Sequence, residues 1–358
     1  MLDDRSSASP YAAFAIPAYR AYLSGSVLMQ IGTAGQALAI GFEVYTRTEE
    51  ALSLGWVALM QALPMLLLTL PAGVLADRVD RRKIMLFGLT GATLTSIGLG
   101  LLSYFEGPIG WMYFLLFMDS VFIRTAWPAR AALLPMIVPR DMFENAVKWR
   151  SSSGQLASLI GPAVGGFVLA WSIPATYFLA ACTSTTFFIL LTRLRVDTRP
   201  PAMANPKGLA GVITDLREGL GFVWRRKILL GTISLDLFAV LLGGAVYLLP
   251  IYATDILGVG ERGLGLLGAA PAAGALCMAV TLAYLPPLRR AGPTMLLAVA
   301  GFGVATIVFG LSTNFFLSLA MLFLTGVFDN ISVVVRHTLV QLATPDHMRG
   351  RVSAVSAV

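Results

Sequence analysis

Ionisable side chains inside long apolar runs are the residues best placed to do chemistry. Asp119, Arg124, Asp236 and Asp329 all stand in such runs. Charge in hydrocarbon is costly, so residues of this kind mark substrate or ion pathways. An aspartate held away from water can load a proton on one side of a membrane and lose it on the other, which is what a proton-coupled carrier needs. The competing use is a structural ion pair between helices. Asp119 lies about ten residues into its run, near the middle at roughly 1.5 Å per residue. Asp119 and Arg130 are eleven apart, close to three turns, and share a helix face. Asp119 and Arg124 do not, which turns Arg124 towards another helix or a cavity. Asp329 and Arg336, seven apart, share a stripe. Glu43, near the end of the first run, reads as a solvated interface residue.

Uncharged polar groups could line a cavity beside these charges. Gln30, Thr33 and Gln36 fall within about 120° of arc at roughly 100° per residue. Gln61, Gln155, Ser158 and Tyr247 are further cavity candidates, with ordinary interhelical hydrogen bonding as the alternative for each. No metal or cofactor site is expected. The two cysteines, Cys182 and Cys277, and the two histidines, His337 and His347, are scattered, whereas such sites need clustered ligands. Gly263-Leu-Gly265-Leu-Leu-Gly268 fits a dinucleotide glycine pattern by letter, but it opens an apolar run with no strand before it.

The elements that must hold these groups follow from composition. Hydrophobic residues make up 57% of the 358 and charged residues 13%. Mean hydropathy is +0.77. Soluble domains carry about 25% charge. This excludes an ordinary soluble enzyme, a disordered chain and a nucleic-acid binder, despite a net charge of +7. The expected class is an all-α polytopic membrane protein, since continuous apolar runs of about 20 residues span hydrocarbon as helices. Ten spans are expected at 21–45, 52–75, 84–104, 109–136, 147–170, 173–194, 228–252, 263–285, 293–312 and 315–343, with an eleventh starting near Arg349. The acidic start at Asp3 and Asp4 and the length of the first run do not fit a signal peptide.

A polar, basic stretch from 195 to 227, with a surface helix expected over Leu209–Trp224, separates an N-terminal half (1–194) from a C-terminal half (228–358). Connections after even-numbered spans hold 19 Lys and Arg, against only Arg47 and Arg262 on the other side. That asymmetry puts the N-terminus and the even connections in the cytoplasm. Arg130-Ala-Ala-Leu133 with Pro139 to Met142 recurs as Arg336-His-Thr-Leu339 with Pro345 to Met348, at an offset of 206. A parallel repeat of six-span halves is a transporter layout.

The most specific string is Gly73-Val-Leu-Ala-Asp77-Arg78-Val-Asp80-Arg81-Arg82-Lys83. Gly73 permits close helix contact. Asp77 can bond a helix N-terminus, and Arg78, Arg81 and Arg82 can pair with acids across a cytoplasmic seam. Span five carries Gly161-Pro162-Ala-Val-Gly165-Gly166, a helix-kinking and groove-forming pattern.

The first string resembles the loop motif of the major facilitator superfamily, departing at Asp80, where the family has glycine. A left-handed turn is expected there, which Asp tolerates better than most residues. The second is similar to an element of the superfamily's antiporters. Trp127-Pro128-Ala-Arg130 through Pro139, with Tyr19-Arg20 and Gln341 to Val352, resembles the branch that contains the enterobactin exporter and macrolide efflux proteins.

The resemblance implies two six-helix halves rocking in the plasma membrane, a monomer without cofactor, and lipid, protons and a small molecule as partners. The expected activity is proton-coupled export of a small amphipathic, siderophore- or drug-like molecule. Asp119, Asp236, Arg124 and Asp329 are the coupling candidates, and Gly73, Asp77, Arg78, Arg81 and Arg82 the cytoplasmic gate. Import, uniport and an inactive fragment are the alternatives. A membrane enzyme is not expected, since no zinc-binding His pair or nucleophile elbow occurs. Twelve spans would end near residue 401, so the chain is expected to stop about 40 residues short, inside its eleventh.

Overall fold

The computed structural model describes residues 11–194, 244–284 and 291–344, with isolated positions between 196 and 235. Among them there is no strand, and nine helices are long and apolar enough to cross a membrane. The chain divides into two compact units, Met1–Pro206 and Lys207–Val358.

The first unit contains α1 (Pro17–Thr48), α2 (Ala51–Arg78), α3 (Arg81–Tyr104), α4 (Ile109–Ile137), α5 (Phe143–Leu169) and α6 (Ile173–Thr192). Each of the first six expected spans is present, its ends within four residues of expectation; α1 starts four earlier, while α5 and α6 end one and two residues sooner than expected. Glu49 closes α1 in a left-handed conformation (φ 54°), returning its N–H to Tyr45 O. Glu106 (φ 51°), Gly107 and Pro108 turn the chain between α3 and α4. Proline opens α1 and α6, where its missing N–H is harmless. Pro64, Pro71, Pro128, Pro135 and Pro162 lie inside helices that stay continuous.

Side-to-side packing runs α5, α1, α6, α3, α4, α2. The α1–α5 contact rests on absent side chains. A Cβ on Gly165 would lie 2.5 Å from Gly35 Cα, so α1 and α5 meet backbone to backbone. Gly161 of α5 faces Ala34 and Ile31 in the same way, at 2.7 and 3.3 Å. The apolar core gathers at the end that carries the α2–α3 and α4–α5 connections, around Tyr19, Tyr22, Met85, Leu133, Phe187 and Leu191. Large apolar side chains also point outwards, among them Leu66, Leu94, Phe167 and Leu297, as hydrocarbon contact requires.

In the second unit α7 (Gly260–Tyr284) and α8 (Ala291–Leu311) both pack on α9 (Phe315–Ala343). Gly274 lies against Phe323, and Gly326 against Pro271. Asn314 caps α9, accepting from Phe316 N and Leu317 N at 2.9 and 3.1 Å. Ahead of α7, short helical turns of mixed type run from Gly244 to Ile256. There the Tyr252 ring stacks on Phe309 at 4.4 Å and its hydroxyl donates to Gly310 O at 2.8 Å. The middle of the expected seventh span, 236–243 with Asp236, lies outside the described residues. So do the eleventh span and most of the Leu209–Trp224 stretch, of which residues 220–224 are helical.

Candidate functional site

Asp119 sits at the centre of α4, 5% exposed, inside the first unit. It accepts from the Gln36 amide at 3.2 Å and from the Thr95 hydroxyl at 2.8 Å. Ser96 donates to Gln36 Oε1 at 2.7 Å, which fixes the amide with its NH₂ towards Asp119 Oδ2. Three helices thus converge on one carboxylate: α1 through Gln36, α3 through Thr95 and Ser96, and α4 itself. All its donors are neutral.

A second carboxylate, Glu43, is treated very differently. Its expected solvation at the interface is wrong: Glu43 is 2% exposed. Arg47, one turn on in α1, pairs with it at 3.1 Å, and the Tyr177 hydroxyl of α6 donates to its other oxygen at 2.8 Å. Arg47 also donates to Gly107 O at 2.9 Å, tying the pair to the α3–α4 turn. The partners explain the burial, because a charge leaves water only where it is paired and hydrogen-bonded. The i,i+4 spacing of Glu43 and Arg47 was the signal in the sequence.

Helical register relates the two groups. Gln36 and Glu43 are seven apart on α1, and Ser96 and Ser103 are seven apart on α3. Asp119 and Met112 are seven apart on α4, and Ser103 bonds Glu43 while Met112 Sδ meets Arg47 at 3.4 Å. Two polar layers therefore stand about two turns apart, separated by buried Ile40, Leu99 and Leu116.

The remaining cavity candidates divide. Gln30 donates to Gly154 O at 3.1 Å and joins α1 to α5. Thr33 and Ser158 bond carbonyls of their own helices. Gln61 and Gln155 are half-buried, and Tyr247 is 49% exposed. Arg124 is half-buried. Arg130 donates to Ser26 Oγ and lines a small cavity with Met29, Met85, Trp127 and Phe187, of about 20 Å³, the room one water needs. On α9, Asp329 is exposed and Arg336 half-buried. Gly161, Gly165 and Gly166 are all buried.

The loop motif splits in two. Arg81 donates to Ala132 O at 3.2 Å and Arg82 to Thr192 O, so both serve carbonyls near the ends of α4 and α6. Asp77 and Arg78 are exposed, and a Cβ on Gly73 would meet no atom within 4 Å. Asp80 corrects the expected left-handed turn. Its φ is −51°, and its carboxylate caps α3 by accepting from Arg82 N at 2.9 Å. An N-cap needs a non-helical backbone and a side-chain acceptor, which Asp supplies without positive φ. The same oxygen accepts from Thr198 Oγ1 at 2.6 Å, while Arg81 N donates to Thr198 O at 3.3 Å. Burial pushes the Asp80 carboxyl up. The bonds from Thr198, Arg82 N and Lys83 N, with the Lys83 charge, outweigh it and hold the group below the ordinary carboxylate range.

Comparison with known proteins places this geometry in context. The family model described as Major Facilitator Superfamily matches residues 21–358. The enterobactin exporter EntS of Shigella boydii serotype 18 is 28% identical over 341 residues, covering 95% of this chain and 80% of that protein. EntS of Escherichia coli O157:H7 gives the same figures. Among solved structures, the nucleoside transporter NupG superposes with a TM-score of 0.73 at 12% identity, covering 95% of this chain and 86% of that one. A bacterial homologue of the iron transporter ferroportin, in an inward-facing state, gives 0.68 at 17%, covering 95% and 87%.

Proposed function

The chain belongs to the major facilitator superfamily, and from that premise we propose that it exports a small amphipathic molecule by alternating access, driven by protons moving inward. It is an integral membrane transport protein and not an enzyme. Its likeness to an enterobactin exporter supports export and a siderophore- or drug-like cargo.

The observation that carries proton coupling is Asp119. A carboxylate buried among neutral donors, with no cation bonded to it among the described residues, keeps its charge only at high energy and is suited to taking up a proton. Glu43, bonded to Arg47 and Tyr177, is a structural clasp by the same reasoning. Asp236, Arg124 and Asp329 are the other groups proposed to take part in coupling. Asp77 and Arg78 are the loop-motif members left exposed for gate contacts during the cycle, with Gly73 as the bare surface beside them. The protein is proposed to work as a monomer in the plasma membrane, its N-terminus cytoplasmic.

Everted vesicles from cells producing the chain test this reading. With respiration maintaining an acid interior, a catecholate siderophore or an amphipathic dye accumulates and partly dissipates the pH gradient, and Asp119→Asn loses both the accumulation and the dissipation. Accumulation indifferent to nigericin, which collapses the gradient, would overturn proton coupling.

A further inference from the structure

The hydrogen bonds around Asp119 hold more than a resting place for a charge. Thr95 has one hydroxyl hydrogen and three acceptors within reach: Asp119 Oδ1 at 2.8 Å, and Gly91 O and Ala92 O of its own helix at 3.0 Å each. Gln36 has no such freedom, because Ser96 donates to its carbonyl oxygen and keeps its N–H pointed at Asp119 Oδ2. We infer that Thr95 is the positioning residue for the proton on Asp119, its hydroxyl reversing direction each time that proton is gained or lost. This rests on the reading of Asp119 as the proton carrier.

The exchange balances atom by atom. With Asp119 ionised, Thr95 O–H donates to Oδ1 and Gln36 N–H to Oδ2. A proton arriving on Oδ1 turns that oxygen into a donor, and Thr95 Oγ is the acceptor already at bonding distance. Thr95 can accept once its own hydrogen swings to Gly91 O or Ala92 O. Gln36 still donates to Oδ2, which becomes the carbonyl oxygen of the neutral acid. Its fixed orientation selects Oδ1 as the oxygen that takes the proton. No covalent bond other than the new O–H changes, and neither the Thr95 hydroxyl nor the acid O–H is left without an acceptor in either state. The rotation moves one hydrogen and no helix.

The surroundings leave this local. α1 presents Gln36, with Glu43 two turns along and already bonded to Arg47 and Tyr177. α3 presents Thr95, with Ser96 behind. The ionisable residues of α2, Asp77 and Arg78, stand exposed at its end. Along α4, Arg124 is half-buried and Arg130 bonds Ser26.

Infrared difference spectroscopy of the full chain in lipid vesicles, stepped from alkaline to acid pH, reads the switch with protons as the only probe. The expected result is a carboxylic-acid carbonyl band that is absent in Asp119→Asn. The nearly isosteric Thr95→Val shifts that band in frequency, and Thr95→Ser returns it to its original position. Thermal melts confirm that each variant is folded. Absence of an acid band attributable to Asp119 overturns the proton reading and this inference with it. A band that Asp119→Asn removes but Thr95→Val leaves unmoved overturns the role of Thr95 alone.

Discussion

At Asp80 one carboxylate oxygen both caps a helix and holds the segment beyond α6. It accepts from Arg82 N and from Thr198, two groups 116 residues apart in sequence that meet at this turn. Replacing an N-cap by alanine costs about 1 kcal/mol, so Asp80→Ala lowers the melting temperature at neutral pH. The sign with pH follows from the carboxyl being held below its ordinary range. Such a group stabilises fully above its unfolded value, and that contribution is lost as pH falls through the folded value. The gap in melting temperature between the protein and Asp80→Ala therefore closes in acid, and a gap constant with pH would refute the cap as its origin. Asp80 also marks a limit of the sequence. The departure from the motif was visible, but its purpose was not, because Thr198 lies on a different part of the chain. Asp119 was legible because charge in an apolar run is conspicuous by itself. Its partner Thr95, and Ser96 behind Gln36, were not, since hydroxyls in a helix bond their own backbone as readily as a neighbour.

Among the helices, α1 is the axis of the first unit. Gly35 lets it touch α5, while Gly25 and Gly32 lie against Phe187 and Thr183 of α6. At the α1–α5 crossing the atom facing a new side chain is backbone and cannot swing aside. Gly165→Val should destabilise by about 1–3 kcal/mol or more, read as a lower melting temperature in detergent; an unchanged value would contradict the crossing. Gly73→Ala is the contrast. Its Cβ would meet nothing within 4 Å, so the melting temperature stays put while transport slows, if the loop motif makes gate contacts during the cycle. Unchanged transport would remove Gly73 from the gate. The six helices themselves were plain in the sequence, because each apolar run ends in a proline, glycine or charged pair. Their order around the bundle was not, since which helices face each other depends on surfaces that one sequence presents without partners. The seven-residue match of Gln36 and Glu43 with Ser96 and Ser103 became meaningful only once α1 and α3 were known to share a core.

For the whole molecule, the charge asymmetry of the connections predicts a cytoplasmic N-terminus. With Cys182 and Cys277 first replaced by alanine, a membrane-impermeant maleimide should label Glu50→Cys in intact cells and Asp141→Cys only after lysis. Both positions are exposed, in the α1–α2 and α4–α5 connections. The reverse pattern would invert the protein in the membrane. One feature of the first unit reaches back to how the protein is born. α1 is made first and partnered late: Gln30 bonds a residue 124 positions further on, Tyr19 one 127 on, and Glu43 one 134 on. At about 5–20 residues per second, α1 waits on the order of ten seconds in the bilayer before α6 emerges. Glu43 stands without Tyr177 throughout that interval, while Gln36 waits the 83 residues until Asp119 arrives on α4. A ribosome halted before Ile173 leaves behind a helix bearing a half-paired acid in hydrocarbon, Glu43 without Tyr177, which makes the nascent half a ward of the insertion machinery and, if abandoned, a substrate for membrane proteolysis.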